Sequence, residues 1–181
     1  MTRRAITALL LAACLGTGLV ACGSDDDDDS ASSDTTTVSG PQRTAKDVDV
    51  ADPTNTKEKP SVAVPDGKPP KGLEKIDLVA GTGPAAETGD KLTANYVGLA
   101  WSTGQEFDAS WDRGDTIDLT LGKGEVIPGW DRGLVGMKKG GRRLLVIPPG
   151  QAYGAQGQQP TIGPNETLVF VVDAVKITPA K

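Results

Sequence analysis

Seven aromatic side chains, Tyr96, Trp101, Phe107, Trp111, Trp130, Tyr153 and Phe170, fall within one stretch of a 181-residue chain that contains no histidine. Histidine is the commonest general base near neutral pH and the commonest metal ligand. Its absence sets aside most hydrolase and metalloenzyme chemistry, and no cofactor or metal is expected. The two cysteines, Cys14 and Cys22, lie far from the aromatic stretch. The run Asp25 to Asp29 offers oxygen ligands of the kind calcium takes, but no turn converges them, so a solvated spacer is the simpler reading. Such a set suits non-covalent chemistry, in which rings give a dry surface and a few donors orient a bound group.

The first residues read as an address. Arg3 and Arg4 precede an apolar run from Ala5 to Ala21, which ends abruptly at Gly23, Ser24 and the aspartates. A membrane-spanning helix wants about 20 apolar residues, so this run fits a cleaved secretory signal better. Leu19-Val20-Ala21-Cys22 resembles a bacterial lipobox, with Cys22 as the site of lipidation after removal of a signal peptide over residues 1–21. Leu11-Ala12-Ala13-Cys14 has the same pattern but would leave too short an apolar stub before it. The alternative is an ordinary secretory signal. Two acyl chains on one cysteine suffice for stable anchoring. The expectation is an exported protein held on the outer face of the cytoplasmic membrane of a bacterium.

From Gly23 to Pro70 there are 11 acidic and 5 basic residues, and from Lys71 to Lys181 there are 13 and 12. The acidity sits in the leading segment, and no basic footprint for nucleic acid exists. That segment also lacks aromatics, so residues 22–70 are expected to be a disordered tether, too poor in apolar surface to offset chain entropy. The single folded domain is expected over residues 71–181, without disulfides.

Within it, strand signals recur at Leu73 to Val79, Lys91 to Leu99, Thr116 to Leu121, Arg142 to Ile147 and Thr167 to Ile177. Leu92, Ala94 and Tyr96 share one face. Gly81-Thr82-Gly83-Pro84 stops the first strand, and the last strand is apolar enough to be central. One short helix is expected from about Ile127 to Leu134. The class is therefore α+β, an antiparallel sheet curved around one helix. The long glycine- and proline-rich stretch from Pro148 to Glu166 is of the kind that usually carries function.

Read in order, these elements resemble the tacrolimus-binding immunophilins, the FKBP-type peptidyl-prolyl isomerases. The resemblance rests on Asn95-Tyr96-Val97-Gly98, Gly104 to Ser110, Leu121 to Trp130, Gly133 to Met137, Leu145 to Pro148, Ala152-Tyr153-Gly154 and Thr167 to Phe170. It implies a half-barrel sheet around a short helix with a pocket between them. It also implies that Tyr96, Phe107, Val126, Ile127, Trp130, Tyr153 and Phe170 line that pocket, with Trp130 as its floor. Asp108 matches the family's pocket-edge carboxylate and Arg113 the arginine that holds it. Glu125, Ile117 and the loop residue Ile162 would contact substrate, and the Tyr153 hydroxyl and Ile127 backbone N–H would hold its backbone.

The residue types suit the implied reaction. Rotation about an amide faces a barrier of about 18–20 kcal/mol because resonance must be broken. The twisted transition state is less dipolar than the planar amide, so a dry aromatic pocket favours it, and each ~1.4 kcal/mol of preference is worth tenfold in rate. Plain core packing is the competing reading for Trp130 and Phe170, and a structural ion pair for Asp108 with Arg113. Trp101 and Trp111 read as exposed or facing a partner.

Three positions depart from the family pattern: Ile117 stands for a pocket phenylalanine, Gln158 for a loop histidine, and the Gly98–Phe107 loop is one residue longer. The resemblance implies exported proline-containing polypeptides as clients, tacrolimus- and rapamycin-like macrolides as inhibitors, and a monomer. A non-catalytic proline-peptide binding module or a holding chaperone would use the same pocket.

Overall fold

A computed structural model describes residues 40–181; the leader, Cys22 and the aspartate run lie outside the described residues. In chain order the elements are β1 (Asp49–Ala51), β2 (Ser61–Ala63), β3 (Glu74–Val79), β4 (Thr82–Ala85), β5 (Lys91–Ala100), β6 (Glu106–Ala109), α1 (Ser110–Arg113), β7 (Ile117–Thr120), α2 (Pro128–Gly133), β8 (Lys138–Lys139), β9 (Arg142–Ile147) and β10 (Leu168–Thr178). Six strands make one antiparallel sheet in the order β3-β9-β10-β5-β6, with β7 also paired to β5. The α+β half-barrel expected from the sequence is what forms. None of the described helices is long and apolar enough to cross a membrane.

The strand period of two explains why β10 is central. Leu168, Phe170 and Val172 point to one face of the sheet, and Val169 and Val171 to the other, all buried. A strand that is apolar on both faces needs cover on both. On the concave face the cover is α2 with the long loop, forming a core of Leu92, Leu119, Leu121, Leu134, Leu145 and their neighbours. Pro128 starts α2, its ring presetting the helical φ, while Ile127 before it stays extended. Gly129 lets the helix close on the sheet, because a Cβ there would collide with the Ile147 side chain.

The opposite face is covered by residues 45–64, and here the sequence expectation of a tether to Pro70 fails. Ala45, Val48 and Val50 are buried against Val97, Leu99, Leu144, Val146, Val169 and Val171, with Val62 and Val64 packed beside them. β1 and β2 form a small antiparallel pair, and Arg43 N donates to Lys68 O at 2.8 Å to close the strap. Residues 45–64 therefore belong to the folded unit, which does not start at Lys71. Composition misled because the strap's apolar residues are few and small; they gain stability only against the waiting sheet face.

Trp101 is also not exposed. It is 5 % accessible, and its indole N–H donates to Gly67 O at 2.9 Å, pinning the strap. Trp111 is half-buried against the same core. Among the described residues two α-helical segments occur instead of one, the extra being the single turn α1. β3 ends at Val79, just ahead of the Gly81-Thr82-Gly83-Pro84 stop signal, and Thr82–Ala85 then pairs with β8.

Candidate active site

The pocket is built from the concave face outward. β5 and β10 run antiparallel with Val172 opposite Tyr96 and Phe170 opposite Gly98, which sets Tyr96 and Phe170 side by side. Trp130, in the first turn of α2, rises between them. Its ring meets Tyr96 edge-on at 5.3 Å and 84°, and Phe170 at 5.3 Å and 85°. Phe107 on β6 closes the set against Phe170 at 5.6 Å and 88°. Such edge-to-face pairs contribute about 0.5–1.5 kcal/mol each beyond area burial. Trp130 is buried and its indole N–H has no partner among the described residues.

These rings bound a cavity of about 190 Å³ lined by Tyr96, Phe107, Asp108, Ile117, Glu125, Val126, Ile127, Trp130, Tyr153 and Phe170. Every residue expected to act on the substrate through the rings or the loop before α2 is thus brought to one place. Ile117 and Glu125 are among them. Arg113 stands behind the wall and acts on it through Asp108. Ile162 does not line the cavity; it is 3 % accessible and buried in the concave core beneath the long loop. Its expected role as a wall residue gives way to one of holding that loop down.

One rim of the cavity is a closed polar triangle. The Tyr96 hydroxyl donates to Asp108 Oδ2, Arg113 Nη1 donates to Asp108 Oδ1, and Arg113 Nη2 donates to the Tyr96 oxygen at 2.9 Å. The Arg113 guanidinium also lies 5.7 Å from the Tyr96 ring centre. Burial pushes the Tyr96 phenol up from its ordinary value, and the Asp108 carboxylate that accepts its proton adds to this. Its hydrogen bonds to Tyr96 and Asp108 hold Arg113 protonated. The triangle satisfies Asp108 internally, so the rim keeps its shape without a bound partner.

Two further donors border the same cavity. The Ile127 N–H, just ahead of α2, has no backbone acceptor among the described residues. Tyr153 sits on the long loop with 36 % of its surface accessible. Burial of part of its ring, and then the charge of Asp108, push its phenol upward. Both phenols therefore keep their protons at ordinary pH. The chemistry open to this arrangement is binding: an apolar ring over Trp130, with a carbonyl oriented by two N–H or O–H donors.

Sequence reasoning missed two supports. Asp131 in α2 accepts from Gly122 N and Gly124 N, both at 2.9 Å, and so fixes the loop that presents Val126 and Ile127. Its position three residues after Pro128, one turn from a glycine-rich loop, was the available signal. Ser110 is fully buried, and its hydroxyl accepts the Tyr96 N–H at 2.9 Å.

Comparison with known proteins agrees with this geometry. The FKBP-type peptidyl-prolyl cis-trans isomerase family matches residues 83–175. An FK506-binding protein of Streptomyces anulatus is 51% identical over 121 residues, covering 66% of this chain and 98% of that one. A probable FK506-binding protein of Corynebacterium glutamicum is 44% identical over 65% of this chain and 98% of its own. Among solved structures, FkpA from Escherichia coli superposes with a TM-score of 0.55 at 44% identity, covering 61% of this chain and 50% of that chain. AtFKBP13 does so with a TM-score of 0.53 at 37% identity, over 63% and 95%. The aromatic cavity on a curved sheet and these matches together place the chain in the FKBP-type peptidyl-prolyl cis-trans isomerase family, and the protein is a peptidyl-prolyl cis-trans isomerase.

Proposed function

We propose that the protein accelerates X-Pro isomerisation in exported polypeptides while held by lipid at the outer face of the cytoplasmic membrane. The observation that carries the catalytic part is the lining of an open cleft of about 190 Å³ by Tyr96, Phe107, Trp130 and Phe170, with no histidine anywhere in the chain. The proline ring rests on Trp130. The carbonyl before it accepts from the Ile127 N–H, and the Tyr153 hydroxyl orients the neighbouring backbone. In that dry setting the twisted, less dipolar amide is favoured over the planar one, which water stabilises. No bond to the enzyme forms and no proton changes hands. The Asp108–Arg113–Tyr96 triangle keeps the rim polar but internally paired. Macrolides of the tacrolimus and rapamycin type are expected to occupy the same cavity and block turnover, as a family with FK506-binding relatives suggests.

A protease-free assay of X-Pro exchange, with and without tacrolimus, tests this reading. Catalysis abolished by the macrolide supports it, and a folded chain with no rate above background ends it. The anchor is tested separately by mass spectrometry of Cys22. A diacylglyceryl adduct, and release of a Cys22→Ser variant into the soluble fraction, are expected; an unmodified mature N-terminus removes the anchor.

A further inference from the structure

Phe107, Asp108 and Arg113, three of the groups that shape the pocket, ride on a short edge segment that is anchored on its inner side through the buried Ser110 and lacks a sheet neighbour on its outer side. β6 is a four-residue edge strand paired only with β5, and the register between them breaks at Gly98 and Leu99. α1, which follows directly, is a single turn. Short edge elements of this kind have few hydrogen bonds of their own to hold them in place.

The missing support comes from the strap. Lys59 Nζ lies 2.8 Å from Glu106 Oε1, and 2.7 and 2.8 Å from the two carboxylate oxygens of Asp112. Glu106 directly precedes Phe107, and Asp112 directly precedes Arg113. One ammonium thus bridges both ends of the segment that carries the rim. Lys59 itself is held firmly on the sheet. Glu58 O accepts from Arg142 Nη2 at 3.0 Å, and that buried guanidinium is tied to Asp173 at 2.6 and 2.8 Å. On the other side Pro60 is buried, and Val62 packs into the strap-side core. Without Lys59 the two carboxylates would lose their shared hydrogen-bonded cation, and the Asp112 carboxyl is held below its usual range mainly by the hydrogen bond from Lys59. Lys59 lies outside the residues that match the family, which begin at 83.

The side chains involved are a third or more exposed, so the bridge adds little to global stability. Its leverage is local, because reaction rates respond to displacements of an ångström or less at the reacting centre. We propose that Lys59 is a positioning residue for the isomerase, through which the N-terminal strap holds β6 and α1 so that Phe107 and the Asp108–Arg113 pair keep their place at the pocket. The proposal rests on the isomerase reading of that pocket.

The test uses the full chain and its kcat/KM on an X-Pro peptide. Lys59→Met should lower kcat/KM about fivefold, the rate equivalent of the upper end of the range for exposed ion pairs, since Lys59 faces two carboxylates. Lys59→Arg should restore most of it, since its fork can also span two carboxylates. The discriminating measurement is made on an Asp108→Ala background, where Lys59→Met should have a clearly smaller further effect, because the Asp108–Arg113 share of what it positions is already lost and only Phe107 remains to be displaced. Raising salt to 1 M should slow the unsubstituted chain more than Lys59→Met, because the bridge is screened; this readout does not depend on comparing variant stabilities. An unaltered rate in Lys59→Met, or the same fivefold loss on the Asp108→Ala background, overturns the proposal. A chain inactive before any substitution would instead remove the isomerase reading on which it rests.

Discussion

Gly98 lies directly opposite Phe170 across β5 and β10, and a Cβ at Gly98 would stand 2.7 Å from Phe170 Cε1 and 2.8 Å from Phe107 Cζ. The rings can yield only toward the cavity, because Phe170 is already packed against Trp130 and Phe107 against Phe170. The pocket therefore owes two of its walls to the lack of a side chain on the strand behind them.

Gly98→Ala should push both rings into the cavity. Overpacking of a filled site costs about 1–3 kcal/mol, and here the strain falls on residues that touch substrate. kcat/KM is expected to drop at least tenfold, with a modest fall in thermal midpoint. Equal activity in the variant would show that the rings are free to move aside.

Trp130 and Tyr153 separate packing from chemistry. Trp130→Leu removes two edge-to-face pairs from a residue 4 % accessible, so stability and turnover should both fall, the former by about 1–3 kcal/mol. Tyr153→Phe deletes one rim hydroxyl, and stability should stay within about 0.5 kcal/mol while kcat/KM declines several-fold. Denaturant melts beside kinetics decide between these outcomes.

Turnover should be independent of pH between about 6 and 9. The chain has no histidine, and burial raises both the Tyr96 and Tyr153 phenols above their usual value near 10. A group raised in this way stays protonated, hence a donor, until the solution is more alkaline still. Any loss therefore belongs on the alkaline side, and a kcat/KM profile with an inflection near 7 would show that a group outside this scheme takes part.

A chain beginning at Lys71 should be unstable or aggregate, whereas one beginning at Ser39 should fold. Removing residues 40–70 uncovers Leu144, Val146, Val169 and Val171, which are all but inaccessible in the intact domain. It also removes Glu58 O from the buried Arg142 guanidinium. Circular dichroism and gel filtration of the two chains check this, and a well-folded, monomeric shorter chain would contradict it.

Much of the architecture was legible in local pattern. Leu92, Ala94 and Tyr96 alternate as a strand should, and they do share the concave face. Pro128 and the glycines around it mark the start and site of α2. The strap was missed because its few small apolar residues have no periodicity of their own. The available clue lay elsewhere, in the uninterrupted apolar run of β10, which requires cover on two faces.

The chemistry open to this protein was decided by residue types: without histidine, and with its aromatics gathered between Tyr96 and Phe170, the chain has a binding pocket to work with and little else. Which residues meet there was decided by tertiary structure. Lys59 reaches Glu106 and Asp112 across 47 and 53 positions of chain, and Ile162 turns inward to the core instead of toward the cavity. Local propensity carries no information about such distant contacts. They exist because a sheet that is apolar on both faces must be covered on both, and the segments that cover it bring their charges with them.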